Sequence, residues 1–111
     1  MDYQFEEKWK ETLKQLEDRF EQPIDLQAAL FLIGVQELGQ GFGKFKKDEK
    51  LALMHIAVCR ILEPFGYYAF THKDEDGWPH FEEIKKLPPL SADEQQRLMK
   101  EAVINYLEIE V

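Results

Sequence analysis

Two successive segments of this chain are apolar around almost their whole circumference, which limits the folds open to it. After Asp25 comes LQAALFLIGVQEL, in which only Gln27, Gln36 and Glu37 are polar. A helix of that kind has no wet face, so it needs neighbours on several sides, from its own chain or from a second copy. Asp48 then reads as the N-cap of another such helix, EKLALMHIAVCRILE, closed by Pro64 and Gly66. Its polar members are Lys50, Arg60, Glu63 and, unexpectedly, His55. The two are expected to form a central hairpin, with Gly39, Gly41 and Gly43 as a flexible connection.

The flanking segments have ordinary amphipathic character. Phe5, Trp9, Leu13, Leu16 and Phe20 recur at spacings of four, four, three and four, one stripe of a helix running from about Tyr3 to Glu21 and stopping before Pro23. Ser91 and Glu94 form a capping box that opens a last helix, to about Glu108, with Leu98, Ala102, Val103, Tyr106 and Leu107 on its inner side. Between helices three and four the pattern changes. Residues 67–72 and 78–83 flank a turn signal at Asp76-Gly77, and Pro79 would confine the second arm to an edge. The expected fold is mainly α, a four-helix bundle-like single domain with a short β-hairpin or ordered loop between helices 3 and 4.

Composition narrows the partners. The 111 residues carry 14 Lys+Arg against 22 Asp+Glu, a net charge of -8. That balance disfavours nucleic acid, whose binding leans on phosphate neutralisation, and disfavours anionic lipid. The longest apolar stretch, residues 28–35, is too short to span a bilayer. Cys59 is the single cysteine, so no internal disulfide forms, and a reducing cytoplasmic setting is expected.

Three constellations bear chemistry. His55, Cys59 and Glu63 fall at i, i+4 and i+8, one line along helix three, with His55 on the apolar side. If helices two and three pack antiparallel, Glu37 faces that line, and either Glu37 or Glu63 would partner a buried His55. This set reads either as a metal site, a Cys–His nucleophile or a small-molecule site of possible hydrolase chemistry, or as a hydrogen-bonded core histidine beside an ordinary buried cysteine, and the last is favoured. Next comes the segment from His72 to Glu83. Asp74, Asp76, Gly77 and Glu83 match the third, fifth, sixth and twelfth places of an EF-hand loop, but His72 stands where the first Asp belongs. A solvated turn is favoured there over calcium, or over a transition metal on His72, Asp74, Asp76 or His80. The crowd of Tyr67, Tyr68, Phe70, Trp78 and Phe81 also allows ligand capture around Trp78 and His80. Gly39-Gln-Gly41-Phe-Gly43-Lys44 holds the parts of an anion cradle in the wrong order for a P-loop, and reads as a connector.

The stretches LFLIGVQELGQGFGKF and DEDGWPHFEEIKKLPPLS resemble a group of short conserved hypothetical proteins of Bacteroidetes bacteria. That group has no assigned activity, so the resemblance implies a bacterial cytoplasmic setting and contributes no functional residues. No cofactor or metal is assigned. The expected role is a non-enzymatic interaction or structural protein that self-associates as a homodimer. The alternative is a small metal- or ligand-binding protein using Glu37 and His55.

Overall fold

A computed structural model describes residues 2–41 and 43–110 and orders them as α1 (Tyr3–Phe20), α2 (Leu26–Leu38), α3 (Lys47–Leu62), a 3-10 turn (Glu63–Phe65), β1 (Tyr68–Lys73), β2 (Pro79–Glu83) and α4 (Ala92–Glu110). The protein is mainly α, with four helices and a two-stranded antiparallel hairpin between the third and fourth. Short side chains set most helix starts by accepting from otherwise unpaired backbone N–H groups. Asp2 Oδ1 accepts from Phe5 N at 3.1 Å and Asp25 Oδ1 from Ala28 N at 2.8 Å. Ser91 and Glu94 make both bonds of the expected capping box, at 3.2 and 3.0 Å. Helix α3 departs from expectation: its cap is Lys46, and Asp48 lies inside the first turn. The reason is Glu49, whose carboxylate reaches back to accept from Lys46 N at 2.8 Å and so fixes the start two residues early.

The segment after α3 is a true hairpin. Tyr68 pairs with Glu83, Phe70 with Phe81, and Lys73 with Pro79, while Thr71 is the extra residue of a bulge before His72 pairs with His80. The turn closes through Gly77 N to Asp74 O and Asp74 N to Trp78 O, both 2.9 Å. Gly77 sits at φ 85, the left-handed residue that such a turn requires. Pro79 begins a strand of a two-stranded ribbon, where its missing N–H costs no ladder bond.

Helix α2 finds its neighbours inside the chain. Along its length only Gln27 and Gln36 are exposed. Leu30 and Ile33 join Trp9 of α1, Ala57, Ile61 and Leu62 of α3, and Met99, Ala102, Val103 and Tyr106 of α4 in the main core. Leu32 and Ala29 pack with Leu16 and Ile24, and Val35 and Leu38 pack with Leu53, Phe31, Phe45 and Trp78.

The helices do not run as the sequence reading expects. Gly34 lies against Leu53, yet Glu37 bonds Arg60 through Nε at 2.6 Å. Glu37 is about 4.5 Å further along α2 and Arg60 about 10.5 Å further along α3. In an antiparallel pair those displacements would add to roughly 15 Å, beyond the reach of the two side chains. Thus α2 and α3 cross instead of folding back as a hairpin. Helices α1 and α4 likewise run in one direction: Arg97 lies over Phe5, Lys100 over Trp9, and Lys8 pairs with Glu108.

The crossing depends on a glycine. A Cβ at Gly34 would stand 2.2 Å from Leu53 O and 2.7 Å from its carbonyl carbon, both backbone atoms that cannot swing aside. Gly34→Ala is therefore expected to lower stability by about 3 kcal/mol, at the upper end for overpacking. The check is urea unfolding, in which the midpoint falls while the slope is kept.

Candidate functional site

The densest polar cluster gathers where α2, α3, α4 and β1 meet. Glu37 lies near the end of α2 because Gln36 and Glu37 are the first polar residues after the apolar run, and its side chain is only 14% exposed. Glu37 Oε1 accepts from Arg60 Nε at 2.6 Å, and Oε2 accepts from the Tyr106 hydroxyl at 2.6 Å. Tyr106 in turn accepts from Gln36 Nε2 at 2.8 Å. Arg60 Nη1 donates to Glu63 Oε1 at 2.7 Å, and Glu63 Oε2 accepts from Phe70 N at 2.8 Å. The Arg60 guanidinium also lies over the rings of Phe81 at 4.9 Å and Phe70 at 5.4 Å, a cation–π sandwich against the hairpin. Burial works against the Arg60 charge, but the hydrogen bonds and fields of Glu37 and Glu63 outweigh it and raise its pKa. Every member of this cluster is committed to joining two elements.

His55 and Cys59 part company with the sequence reading. His55 is exposed, not buried, and Glu37, occupied by Arg60 and Tyr106, is not its partner. Its neighbours are the Tyr68 ring, nearly perpendicular at 6.5 Å, and Cys59 Sγ, 3.5 Å from Nε2. The periodicity puts His55 in line with Cys59, but that line is exposed at His55 and buried one turn later, at Cys59. There the thiol is 1% exposed, and burial pushes its pKa up to about 11. A neutral thiol on the middle of a helix is a poor nucleophile.

The hairpin loop is organised by Asp74. Its Oδ1 accepts from Asp76 N and Trp78 N, both at 3.0 Å, and its Oδ2 lies 2.9 Å from His80 Nε2. The His80 hydrogen bond, then those from the backbone, hold the Asp74 carboxyl below its usual pKa. The EF-hand register is not assembled, because Asp74 faces its own turn and Glu83 sits at the far end of the ladder beside Tyr68. Trp78 is half-buried and packs on Val35, Leu38 and Leu53, so its ring belongs to the core; His80 is exposed. Among the described residues no three His, Cys, Asp or Glu side chains group as a metal-ligand set. In the glycine connection, Gly39 at φ 73 caps α2, Phe42 lies outside the described residues, and the start of α3 is already occupied by the Glu49 carboxylate.

Two features escaped the sequence reading. Tyr106 was assigned to the core by its spacing alone, with no local signal that its hydroxyl meets a glutamate 69 residues away. A shallow groove of about 430 Å³ between α1 and α4 is lined by Asp2, Phe5, Lys8, Arg97, Asn105 and Glu108. Its charges pair across it, Arg97 with Asp2 at 2.9 Å and Lys8 with Glu108. Arg97 and Glu101, four apart, were its only trace in the sequence. Among the described residues no helix is long and apolar enough to cross a membrane. No protein-family description, curated protein or solved structure matches the chain significantly.

Two outcomes follow from these environments. At pH 8 about one Cys59 in a thousand is ionised, so a thiol reagent such as DTNB should leave the native protein unmodified and label it promptly in denaturant. Arg60→Ala leaves Glu37 and Glu63 uncompensated and is expected to cost about 2–3 kcal/mol, less than a fully buried pair because both partners keep some solvent. Hydrogen exchange at Phe70 N should accelerate with it, since Glu63 loses its anchor.

Proposed function

We propose that the protein is a non-enzymatic cytosolic interaction or structural protein that acts as a homodimer, its four helices serving as a bundle-like scaffold. The observation that carries this reading is a stripe on α3. Leu51, 60% exposed, is followed by half-buried Met54, exposed His55 and half-buried Val58. Those positions are i, i+3, i+4 and i+7, neighbours on one helix face and the spacing by which one helix packs on another. Ala52 beside them is exposed as well. Helix α2 is covered within the chain, whereas α3 keeps these apolar side chains facing outward. The chemically capable groups support a binding role too. Glu37, Arg60 and Glu63 hold elements together, and the Cys59 thiol stays protonated.

A second copy laid on this stripe would remove Leu51 and Val58 from water. Size-exclusion chromatography with light scattering on the wild type and Leu51→Glu tests the reading. The wild type is expected to run as a dimer at micromolar concentration and the variant as a folded monomer. A monomeric wild type, or a dimer indifferent to Leu51→Glu, would remove the support for it.

A further inference from the structure

Around the end of β2 lies a run of exposed residues that is complementary to itself in reverse. Glu82, Glu83, Ile84, Lys85 and Lys86 set two acids and two bases symmetrically about one large apolar side chain, and all of them are exposed. Ile84 is 56% exposed, and the chain itself offers it no cover. Among the described residues none of the four charged side chains makes an ion pair. Lys85 lies over the Tyr67 ring at 4.6 Å, with its charge still open to solvent. The strand has one partner, β1, so its other edge is open among the described residues.

Positions equidistant from Ile84 carry opposite charge. A second copy laid antiparallel, with a twofold axis at Ile84, therefore brings Glu82 to the partner's Lys86, Glu83 to the partner's Lys85, and one Ile84 to the other. Symmetry makes each of the two ion pairs twice. A parallel copy would set like charge against like at all four places, so the pattern selects a direction as well as a partner. The chain bends at Lys85, and Ile84 N and Lys85 N both turn inward to Tyr67 O, at 2.9 and 3.4 Å. The contact is thus one between side chains and does not extend the ladder. It also answers a difficulty of charge. A chain of net charge -8 repels its own copy, and a contact that is neutral in itself relieves that repulsion where the copies come closest.

We propose that residues 82–86 orient the second copy, pairing antiparallel with the same residues of that copy about Ile84. This rests on the homodimer reading and adds to it a direction and a means of self-recognition. Glu83 stands opposite Tyr68, whose ring meets His55 at 6.5 Å, so the segment borders the α3 stripe and one twofold axis can serve both.

The test is charge exchange in the full chain, followed by light scattering at about 50 mM salt, where screening is weak. Glu82→Lys/Glu83→Lys and Lys85→Glu/Lys86→Glu each present a single sign to their own copy, and each should weaken dimerisation at least about tenfold. Mixed in equal amounts, the two should form a heterodimer as tight as the wild-type dimer. The fourfold exchange Glu82→Lys/Glu83→Lys/Lys85→Glu/Lys86→Glu keeps the net charge and is again complementary to itself. It should dimerise like the wild type and yet not mix with it, which native mass spectrometry of isotope-labelled mixtures reads directly. Circular dichroism of every variant should match the wild type; should a double variant misfold, the self-sorting of the fourfold exchange decides the matter. A dimer indifferent to these changes, or a fourfold variant that mixes freely with the wild type, would overturn the inference and leave the homodimer reading standing. A wild type that is monomeric at this salt would overturn both.

Discussion

The contact on which the rest of this structure depends is the one between Gly34 and the backbone of Leu53. Only a residue without a Cβ lets α2 come that close to α3. The close approach brings two apolar helices into backbone contact at their crossing, and around that crossing the other helices find their places. Trp9 of α1 and Val103 of α4 enter the core formed by Leu30, Ile33, Ala57 and Ile61. It also decides which polar groups meet. Because the helices cross, Glu37 reaches forward to Arg60; an antiparallel pair would carry it back toward the start of α3. The choice of a glycine at one position in the apolar run thus settles the electrostatics three residues later.

Arg60 carries that consequence outward. It meets a carboxylate from α2 and another from its own helix, and two aromatic rings from the hairpin. A guanidinium suits such a place because it is planar, weakly hydrated and presents several donors at once, so one side chain can meet two carboxylates while lying flat over two rings, which a lysine's point charge does less well. The hairpin has little core of its own, since a two-stranded ribbon is marginal in water. It is held by Arg60 at its middle, by Glu63 on Phe70 N, by Trp78 against Val35 and Leu53, and by Gln40 donating to Asp76 O at 2.7 Å. Those anchors explain why a segment rich in charge is nevertheless ordered. They also explain why Glu37, Arg60 and Glu63, a set that resembles a reactive centre on paper, do structural work.

How much of this was legible depends on the range of the signal. The α1 stripe, the Ser91 cap and the Asp76-Gly77 turn are local, and the structure has them where the sequence put them. Asp48 was misread because two carboxylates compete for one helix start, and spacing does not say that Glu49 bends back to Lys46. Whether residues 67–83 were hairpin or loop stayed open in the sequence, since Pro79 argues against a central strand but not against an edge. Direction and burial were least legible. Nothing local distinguishes crossed from antiparallel helices when both are apolar all round, and the inference that His55 is buried borrowed a partner from the wrong packing. What failed was the assumption that an apolar face is covered along its whole length.

That distinction between face and cover separates the structural residues from the available ones. Cys59 on α3 is buried, while His55 one turn earlier, and Ala52 and Leu51 before it, stand exposed. Along the hairpin the same division recurs at the bulge. Tyr68, Phe70 and Phe81 turn toward α3, and one residue later the face reverses so that His72 and His80 stand away from Arg60 with their rings stacked. A strand without the extra residue at Thr71 would keep strict alternation, and a single residue would not pair histidine with histidine beside an aromatic pair. Thr71 then does two things at once, since its hydroxyl bonds His80 O across the ladder and so has only its lone pairs left for His72. The bulge and the hydroxyl together set two surface histidines face to face, the one ring against Thr71 Oγ1 and the other against Asp74, so that an extra residue in one strand decides which side chains meet across both.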